Sequence, residues 1–462
     1  MKMNCIKSSC RIILLIVVQA LIQTVAAQFS ISSNHRYLLK EGKPFFWLGD
    51  TGWELFHRLN REEADRYLKR RSEQGFTVIQ AVVLAEMDGM HTANAYGETP
   101  LINDDPSKPN EKYFEHVDYI IDKAGSYNIN IGLLPTWGDK IFKDRWGKGP
   151  EIFNKQNAAV YAGWLADRYK NKTNIIWILG GDRNPRNDTD IAIWRSMGNA
   201  IKKTTDGKAL ISFHPQPNNT GSAQWFHHDS WLDFNMFQTG HCRNTAVYDK
   251  MQVVYNMLPS KPVMDAEPVY EDHPVCFNVK DLGTSSAYDV RKAAYLDLFS
   301  GAFGHTYGCH DIWQMYSSKY EPVNGPHLFW PEAMELPGAN QMIHVRKLIE
   351  SYPALDRVPD QSLIKENSYT AGERIQATRG TDYLFVYTAV GKPFTVELEK
   401  IKGDKLQSYW YNPRDGKTTV AEIIDNKGAR KYTPPSSGYG QDWVLVLDDA
   451  SKKSYSLPGR KW

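Results

Sequence analysis

Eight short apolar segments rich in β-branched or aromatic residues follow one another along the first three quarters of the chain. They are PFFWLG (from Pro44), FTVIQAVV (from Phe76), INIGLLPTW (from Ile129), IIWILGG (from Ile175), ALISFHP (from Ala209), WLDFNMFQ (from Trp231), KPVMDAEP (from Lys261) and GAFGHTYG (from Gly301). The runs are continuous rather than alternating, which is typical of parallel strands covered on both faces. Stretches with helical periodicity, such as YFEHVDYIIDKAGSYN, lie between them. This order predicts an α/β fold, a (β/α)8 or TIM barrel.

A doubly wound parallel sheet is the competing arrangement of alternating strands and helices. Pro44 to Pro353 is roughly 300 residues, and this length favours the barrel, which accommodates insertions. Between the fifth and sixth segments, NNTGSAQWFHHDS has no helical pattern, so we expect a short or irregular crossover there.

From about Val358 the chain changes to strand-like runs separated by turn residues, such as DYLFVYTAV, PFTVELEK and DWVLVLDD. The sequence therefore predicts three parts: a secretory signal at 1–27, a catalytic barrel at 28–355 and a small all-β sandwich domain at 356–462. We expect the sandwich mainly to pack against the barrel.

The first residues carry the pattern of a signal peptide. Basic residues precede an apolar segment that starts at Ile12, and small residues Val25 and Ala27 stand at the spacing that a signal peptidase reads. No later segment is long and apolar enough to span a bilayer. The pattern predicts export of the mature protein to the periplasm or the extracellular space.

Charge and cysteine content narrow the function classes. The formal net charge is +2 over 462 residues without a later basic block, which argues against a nucleic-acid partner. Once the signal is removed, Cys242, Cys276 and Cys309 remain. At most one disulfide can form among these three, and without CxxC spacing we expect small buried thiols rather than a metal or redox site.

Acidic residues end two of the predicted strands. In a (β/α)8 barrel the carboxyl ends of the strands meet at one mouth. Strand four ends in GGDRNP and strand seven in DAEP, so we expect Asp182 and Glu267 to face the same mouth. Two carboxyl groups facing one cleft are what glycosidic bond cleavage requires.

Structural roles compete with this interpretation. Asp182 is also suited to cap the next helix, and Glu267 to form an ion pair within the mouth. Gly180 and Gly181 leave bare backbone beside Asp182, which we interpret as room for a ligand.

Polar and aromatic residues stand at the other strand ends as well, and their joint occurrence at one mouth predicts a sugar-binding cleft. The candidate substrate-binding residues are Asp50, Trp53, Glu86, Trp137, His214, Gln238, His305, Tyr307 and Trp313. Of these, Trp137 and Trp313 are the expected stacking surfaces. The spacing of His214, His241, His305 and His310 fits no recognised metal-ligand pattern, so we predict no metal site and no cofactor.

Several motifs together resemble the apiosidase-like glycoside hydrolases. They are FFWLGDTGWELFHRL, FTVIQAVVLAEMDGM, ILGGDRNP, MDAEPVYE, GHTYGCHDIWQMY and PPSSGYGQDWVLVLDD. The resemblance covers essentially the whole mature chain and implies a catalytic barrel with a C-terminal β-sandwich of the kind labelled collagen-binding. It places the acid/base role on Asp182 and the nucleophile role on Glu267, and it implies pectic, apiose-containing side chains as substrate.

We therefore predict an exported, retaining glycoside hydrolase that acts on an oligosaccharide or polysaccharide. Asp182 must then be protonated in the resting enzyme, so we expect Arg183 to point away from it. The motif GGDRNP at the end of strand four departs from the Asn-Glu pair found in the wider clan of barrel glycosidases. Shortening the acid by one methylene indicates a repositioned backbone or an unusual leaving group. A barrel that binds carbohydrate without cleaving it and a matrix-binding adhesin are the alternatives, and the sequence does not predict an oligomeric state.

Overall fold

The computed structural model describes residues 29–366, 369–452, 455 and 457–460. The predicted signal peptide lies outside the described residues. The described part begins with a three-stranded antiparallel sheet of β1 (Phe29–Ile31), β2 (Leu38–Lys40) and β3 (Lys43–Phe45). The sequence did not predict this sheet, and the segment from Pro44 is divided between β3 and the first parallel strand.

Each of the eight predicted segments contains one parallel strand. The strands are β4 (Trp47–Thr51), β5 (Val78–Leu84), β6 (Asn130–Thr136), β7 (Ile175–Gly180), β8 (Ile211–His214), β9 (Asn235–Gln238), β10 (Val263–Glu267) and β11 (Gly304–Tyr307). Six of them form one sheet in the order β11-β4-β5-β6-β7-β8, and β9 pairs with β10. Because β4, the first of these strands in the chain, pairs with β11, the last, the parallel sheet curls into at least half of a barrel.

Helices follow most of the parallel strands along the chain. The α-helices are Leu55–Arg58, Arg61–Glu73, Glu111–Ser126, Lys155–Tyr169, Asp188–Thr204, Ala223–Phe226, Val247–Tyr255, Val279–Leu282, Ala287–Phe299, His310–Trp313, Trp330–Ala333 and Pro337–Glu350. Helix Glu111–Ser126 buries Phe114, Val117, Ile120 and Ile121 on one side, as its periodicity predicts. The crossover between β8 and β9 contains the four-residue helix Ala223–Phe226, so the prediction of a short crossover is confirmed.

The C-terminal part is all-β. Its strands are β12 (Val358–Pro359), β13 (Ile375–Arg379), β14 (Tyr383–Thr388), β15 (Phe394–Glu397), β16 (Lys405–Tyr411), β17 (Thr418–Asp425), β18 (Ala429–Tyr432) and β19 (Trp443–Asp449). Six of them form an antiparallel sheet in the order β12-β13-β14-β19-β16-β17, and β15 pairs with β18. Alternate residues of β14 divide between two cores: Leu384 and Val386 belong to the core of this part, whereas Phe385 and Tyr387 pack into the core of the parallel-sheet part.

Polar contacts also join the two parts. The buried Arg291 donates two hydrogen bonds to the Asp442 carboxylate, at 2.8 and 2.6 Å. The rings of Tyr295 and Tyr387 stack with centroids 5.0 Å apart. A bidentate ion pair and stacked rings within an apolar contact fix the orientation of the C-terminal sheet against the parallel-sheet part.

The three cysteines are not equivalent. Cys242 and Cys276 form a disulfide, so the expectation of buried thiols is wrong for these two residues. Cys309 is a buried free thiol, as expected. Over the described ranges, we find no helix of sufficient length and apolar character to cross a membrane.

Candidate active site

A cavity of about 750 Å³ opens at the carboxyl ends of the parallel strands. Of the predicted site residues, those that line it are Trp53, Glu86, Trp137, Asp182, Gln238, Glu267 and Trp313. Trp53 and Trp137 are almost completely buried and pack against each other with ring centroids 5.1 Å apart. Nε1 of Trp137 has no hydrogen-bond partner among the described residues, although it is buried.

Asp182 stands two residues beyond the end of β7 and lines the cavity. It does not cap a helix, because the next helix begins at Asp188 and its cap is Asn187. In the amide orientation that satisfies its neighbours, the side-chain nitrogen of Gln238 donates to Asp182 Oδ1 at 3.1 Å and to the Pro215 carbonyl at 2.8 Å. Gln238, the last residue of β9, thus fixes the position of the Asp182 carboxyl group by a hydrogen bond.

The two glycines before Asp182 serve the packing of the protein rather than a ligand. A Cβ on Gly180 would lie 2.3 Å from the His214 carbonyl oxygen, and one on Gly181 would lie 2.7 Å from the Trp137 ring. Both glycines have positive φ angles, 89° and 116°. The interpretation that they make room for substrate is therefore wrong: they allow the strand end to pass close to β8 and Trp137.

Burial raises the pKa of Asp182 to about 7, and the nearby charge of Glu267 adds to this effect, against the opposing influence of Arg183 and His214. A carboxyl group with this pKa is protonated in a large fraction of molecules near neutral pH. Asp182 can therefore donate a proton.

Glu267 ends β10 and has the opposite electrostatic environment. His214 Nε2 lies 3.2 Å from its Oε2, and His241 Nε2 lies 3.5 Å from its Oε1. Burial alone would raise the pKa of Glu267, but the two histidines beside its carboxylate oxygens lower it to about 2. Glu267 is therefore an ionised carboxylate at neutral pH, the form that a nucleophile needs.

The strand end that carries Glu267 is irregular. Pairing between β9 and β10 shifts its register between Asp265 and Glu267. The Asp265 carboxylate accepts a hydrogen bond from the Glu267 backbone N–H at 3.2 Å and from the Thr239 hydroxyl. A bulge that is anchored in this way aims the side chain that follows it.

Arg183 does not point away from Asp182. Its side chain is buried, with Nη1 at 2.7 Å from the Asp182 carbonyl oxygen and 3.5 Å from Asp182 Oδ2. Nη2 lies 3.9 Å from Glu86 Oε1. The guanidinium thus stands between two acids, and the pKa of Asp182 is raised in spite of it. The expectation that Arg183 points away from Asp182 is therefore wrong. The pKa of Asp182 is raised all the same, because burial and the charge of Glu267 outweigh the effect of Arg183.

Glu86 is a third carboxyl group in the cavity wall. Burial and the charge of Asp182 raise its pKa to about 8, against the opposing effect of Arg183. Glu86 is therefore largely protonated at neutral pH and can donate a hydrogen bond to a sugar hydroxyl.

Four of the predicted substrate-binding residues do not line the cavity. Asp50 is fully buried and accepts hydrogen bonds from Tyr67 and from Arg71. His305 bonds to Asp297 at 2.6 Å, and Tyr307 donates to Glu271 at 2.6 Å. These three residues maintain the fold, so the prediction that they bind substrate is wrong. His214, the fourth, lies behind Glu267 and acts on its charge.

Other cavity residues were absent from the set predicted to bind substrate. They are Met87, Trp146, Lys148, Gln216, Pro217, Gly240, His241, Tyr270, His273, Phe277, Val323 and Asn324. His241 and Tyr270 stand three residues beyond the ends of β9 and β10. The strand-end rule indicates His241, which was considered as a metal ligand, and could also have found Tyr270. Trp146 and Lys148 stand in a long loop after β6, where the sequence has no periodic signal. Within the described ranges, no group of three or more His, Cys, Asp or Glu residues is arranged to hold a metal ion.

Comparisons with known proteins identify the family of this chain. A carboxyl group that can donate a proton and an ionised carboxylate in one cleft are the arrangement that glycoside hydrolases use. Residues 32–356 match the family model described as "Apiosidase-like, catalytic domain". The chain belongs to the apiosidase-like family. Residues 358–448 match the model described as "Putative collagen-binding domain of a collagenase".

Solved structures support the same assignment. A glycoside hydrolase aligns with 36% identity and a TM-score of 0.84, over 92% of this chain and 98% of its own. A family 5 glycoside hydrolase from Bacteroides vulgatus aligns with 35% identity and a TM-score of 0.85, over 93% and 95% of the two chains. None of the curated proteins matches the chain. The protein is thus similar to glycoside hydrolases over nearly its whole length.

Proposed function

We propose that this protein is a retaining glycoside hydrolase in which Asp182 is the general acid/base and Glu267 the nucleophile. The observation that carries the proposal is the contrast between the two carboxyl groups in one cavity. The pKa of Asp182 is raised to about 7, and the pKa of Glu267 is lowered to about 2. One acid is thereby suited to give a proton and the other to attack, which is the division of roles in glycoside hydrolysis.

In the first step, Glu267 attacks the anomeric carbon while Asp182 protonates the leaving oxygen. The glycosidic bond breaks and a covalent glycosyl ester forms. In the second step, Asp182 takes a proton from water, which displaces Glu267 and releases the sugar with retained configuration. Tyr270, which accepts a hydrogen bond from Trp53 Nε1 at 3.2 Å, borders Glu267 in this site.

The cavity provides the groups that a sugar needs. The indole of Trp313 lines the cavity and is only partly buried, so it can stack against a sugar ring. Glu86 and Gln238 add polar contacts in the wall. We extend the proposal to pectic, apiose-containing side chains as substrate, on the resemblance of the motifs to apiosidase-like enzymes and on the match of residues 32–356.

The proposal includes the architecture and location in which this chemistry operates. We propose that the eight parallel strands close into a full (β/α)8 barrel, supported by the Asp233 N–H donating to the Ile211 carbonyl and the Phe303 N–H to the Val263 carbonyl. These bonds lie at the edges of the β9–β10 pair. We propose that the enzyme is exported to the periplasm or the extracellular space, on the pattern of residues 1–27.

The test is hydrolysis of a panel of pectic oligosaccharides that includes apiose-bearing fragments, with proton NMR to identify the sugar and its first-formed anomer. Asp182→Asn and Glu267→Gln should each reduce turnover by at least about a thousandfold in a protein that still folds. The thermal unfolding midpoint should stay at or above that of the wild type in Asp182→Asn, whereas Glu267→Gln removes a charge that the folded state stabilises and should unfold at a lower temperature. Near-normal turnover in either variant would contradict the assigned roles. A first-formed anomer of inverted configuration would contradict retention.

A further inference from the structure

The disulfide joins the two loops that lie beside Glu267. Cys242 stands in the loop after β9, and Cys276 stands in the segment 268–286 after β10. Both cysteines are exposed, and neither lines the cavity. The residues next to them along the chain, His241 and Phe277, do line it. A change in the exposed bond can therefore reach the cavity wall through a single residue.

The segment that carries Cys276 also holds His241. The Cys276 backbone N–H donates to the His241 carbonyl oxygen at 2.9 Å. The His241 imidazole stacks on that of His273, with ring centroids 4.0 Å apart and planes inclined by 25°. Two further ring neighbours of His241, Tyr270 and Phe277, come from the same segment. The position of the His241 ring therefore depends on where this segment lies.

His241 has little support from its own loop. Gly240, directly before it, donates its N–H to the Glu267 carbonyl oxygen at 3.2 Å. The φ of Gly240 is 74°, and a Cβ there would make one contact among the described residues, at 3.7 Å. The next fixed point is Arg243, whose guanidinium donates to two carbonyl oxygens of segment 268–286, at 3.2 and 2.6 Å. Without the disulfide we therefore expect the two loops to stay together, while His241 gains freedom to turn.

The backbone at Cys276 has a conformation that side chains rarely adopt. Cys276 and Phe277 have φ of 50° and 60°, both in the left-handed region. This region is unfavourable for residues with a Cβ, above all for a bulky one such as phenylalanine. The Phe277 side chain is 64% exposed, so packing contributes little to holding it there. The crosslink maintains this turn, and opening it lets the turn relax and withdraw its N–H from His241.

We propose that the Cys242–Cys276 disulfide is a positioning element of the active site, which holds the His241 imidazole beside Glu267. The inference rests on the proposed role of Glu267 as the nucleophile. His241 Nε2 lies 3.5 Å from Glu267 Oε1, and His214 Nε2 lies 3.2 Å from the other carboxylate oxygen. When His241 turns away, Glu267 keeps one of its two histidines, and its carboxylate is less firmly oriented for attack.

The exposed position of both cysteines opens the bond to reduction by a dithiol. One thiolate of the dithiol attacks a sulfur of the disulfide, and its second thiol then displaces the sulfur of the mixed disulfide. Two electrons and two protons pass to Cys242 and Cys276, which become thiols, and the reagent becomes a cyclic disulfide. Cys309 is a buried free thiol and takes no part. Reduction should therefore act on this one bond and lower activity in a protein that stays folded.

Histidine ring spectra test the positioning without hydrolysis. The full-length protein, carrying isotope-labelled histidine, is measured by NMR before and after dithiothreitol, and the His241 signal is assigned by its absence in His241→Gln. Reduction should shift the His241 Cε1–H signal and leave that of the buried His116 unchanged. Alkylation and mass spectrometry should then find label on Cys242 and Cys276 and none on Cys309. An unmoved His241 signal in protein labelled at both cysteines would overturn the proposal.

A cycle of variants shows whether the bond acts through His241. On the substrate that the oligosaccharide panel identifies, reduction of the wild type should lower kcat/KM about tenfold, and oxidised His241→Gln should lose a similar factor. Reduction of His241→Gln should then have no further effect, because the effects of coupled sites do not add. The double variant Cys242→Ser with Cys276→Ser is the matched control. It should have the activity of the reduced wild type and be insensitive to dithiothreitol.

Three results would contradict the proposal: full activity in the reduced wild type, an equal loss on reduction in His241→Gln and in the wild type, or loss of the near-ultraviolet circular dichroism on reduction. The second and third would show that the bond supports the fold in general. These outcomes are distinct from failure of the proposed function. The histidine spectra report the position of His241 whether or not Glu267 is the nucleophile, and turnover by Glu267→Gln reports the chemistry.

Discussion

Removing the charge of Arg183 should move the pH dependence of catalysis in a defined direction. The guanidinium Nη1 lies 3.5 Å from Asp182 Oδ2 and favours the ionised carboxylate, so it lowers a pKa that burial and Glu267 raise to about 7. In Arg183→Met this favourable interaction is lost. The pKa of Asp182 should rise, and the acid should stay protonated to higher pH.

The distance sets the size of the effect. Two unit charges about 4 Å apart in a medium of dielectric constant about 20 interact by about 4 kcal/mol, equivalent to about three pKa units. Asp182 keeps 22% of its side chain exposed, and solvent weakens the interaction. We therefore expect a rise of about one to two units, which places the pKa of Asp182 between about 8 and about 9.

The assay is kcat/KM against pH on the substrate that the oligosaccharide panel identifies, because its basic limb reports the essential acid of the free enzyme. Arg183→Lys keeps the positive charge and should keep a midpoint closer to 7. Arg186→Met removes an arginine that pairs with Asp190 at 2.8 Å, and it should leave the midpoint of the basic limb unchanged. A basic limb that is unmoved or lower in a folded Arg183→Met variant would refute the reasoning.

Three further predictions concern the same site. Asp182→Asn should be more stable than the wild type at pH 8.5 by a few kcal/mol, and it should therefore unfold at a higher temperature. The reason is that the pKa of Asp182 is raised from 3.8 to about 7, so the wild type loses stability as the pH rises between these values. Equal unfolding midpoints would contradict this. His241→Gln should shift the acid limb of kcat/KM upward, since a group that lowers the pKa of Glu267 is removed; an unchanged limb would argue against it. Replacing Cys242 and Cys276 by alanine opens a loop with a sequence separation of 34 and should cost up to about 4 kcal/mol of unfolding free energy, measured in urea; an unchanged urea midpoint would contradict this.

The arrangement of the strands was predictable because burial on both faces leaves a continuous apolar run. Segments such as IIWILGG therefore indicate their strands directly, and each of the eight contains one. The sheet of β1, β2 and β3 escaped prediction because three-residue strands are too short to show a period. The disulfide could not be predicted from the sequence either, because three cysteines allow more than one pairing.

The candidate site was predictable only as far as strand ends determine it. Asp182 and Glu267 line the cavity because they follow the last buried residues of β7 and β10. Asp50 also stands near a strand end, but its side chain contacts Arg71 on a surrounding helix. The order of residues does not tell which of two successive side chains faces the mouth. Loop residues such as Trp146 carry no periodic signal at all.

The backbone explains why the acid at position 182 is aspartate. Asp182 has φ of +46°, the third positive value in succession after Gly180 and Gly181. Among residues with a Cβ, aspartate and asparagine enter this left-handed region most readily, because a short polar side chain can bond locally. The sharp turn brings a short carboxyl group into the cavity, whereas Glu267 continues directly from β10. The presence of aspartate rather than the longer glutamate at position 182 therefore follows from the turn that packs β7 against His214 and Trp137. It requires no unusual leaving group.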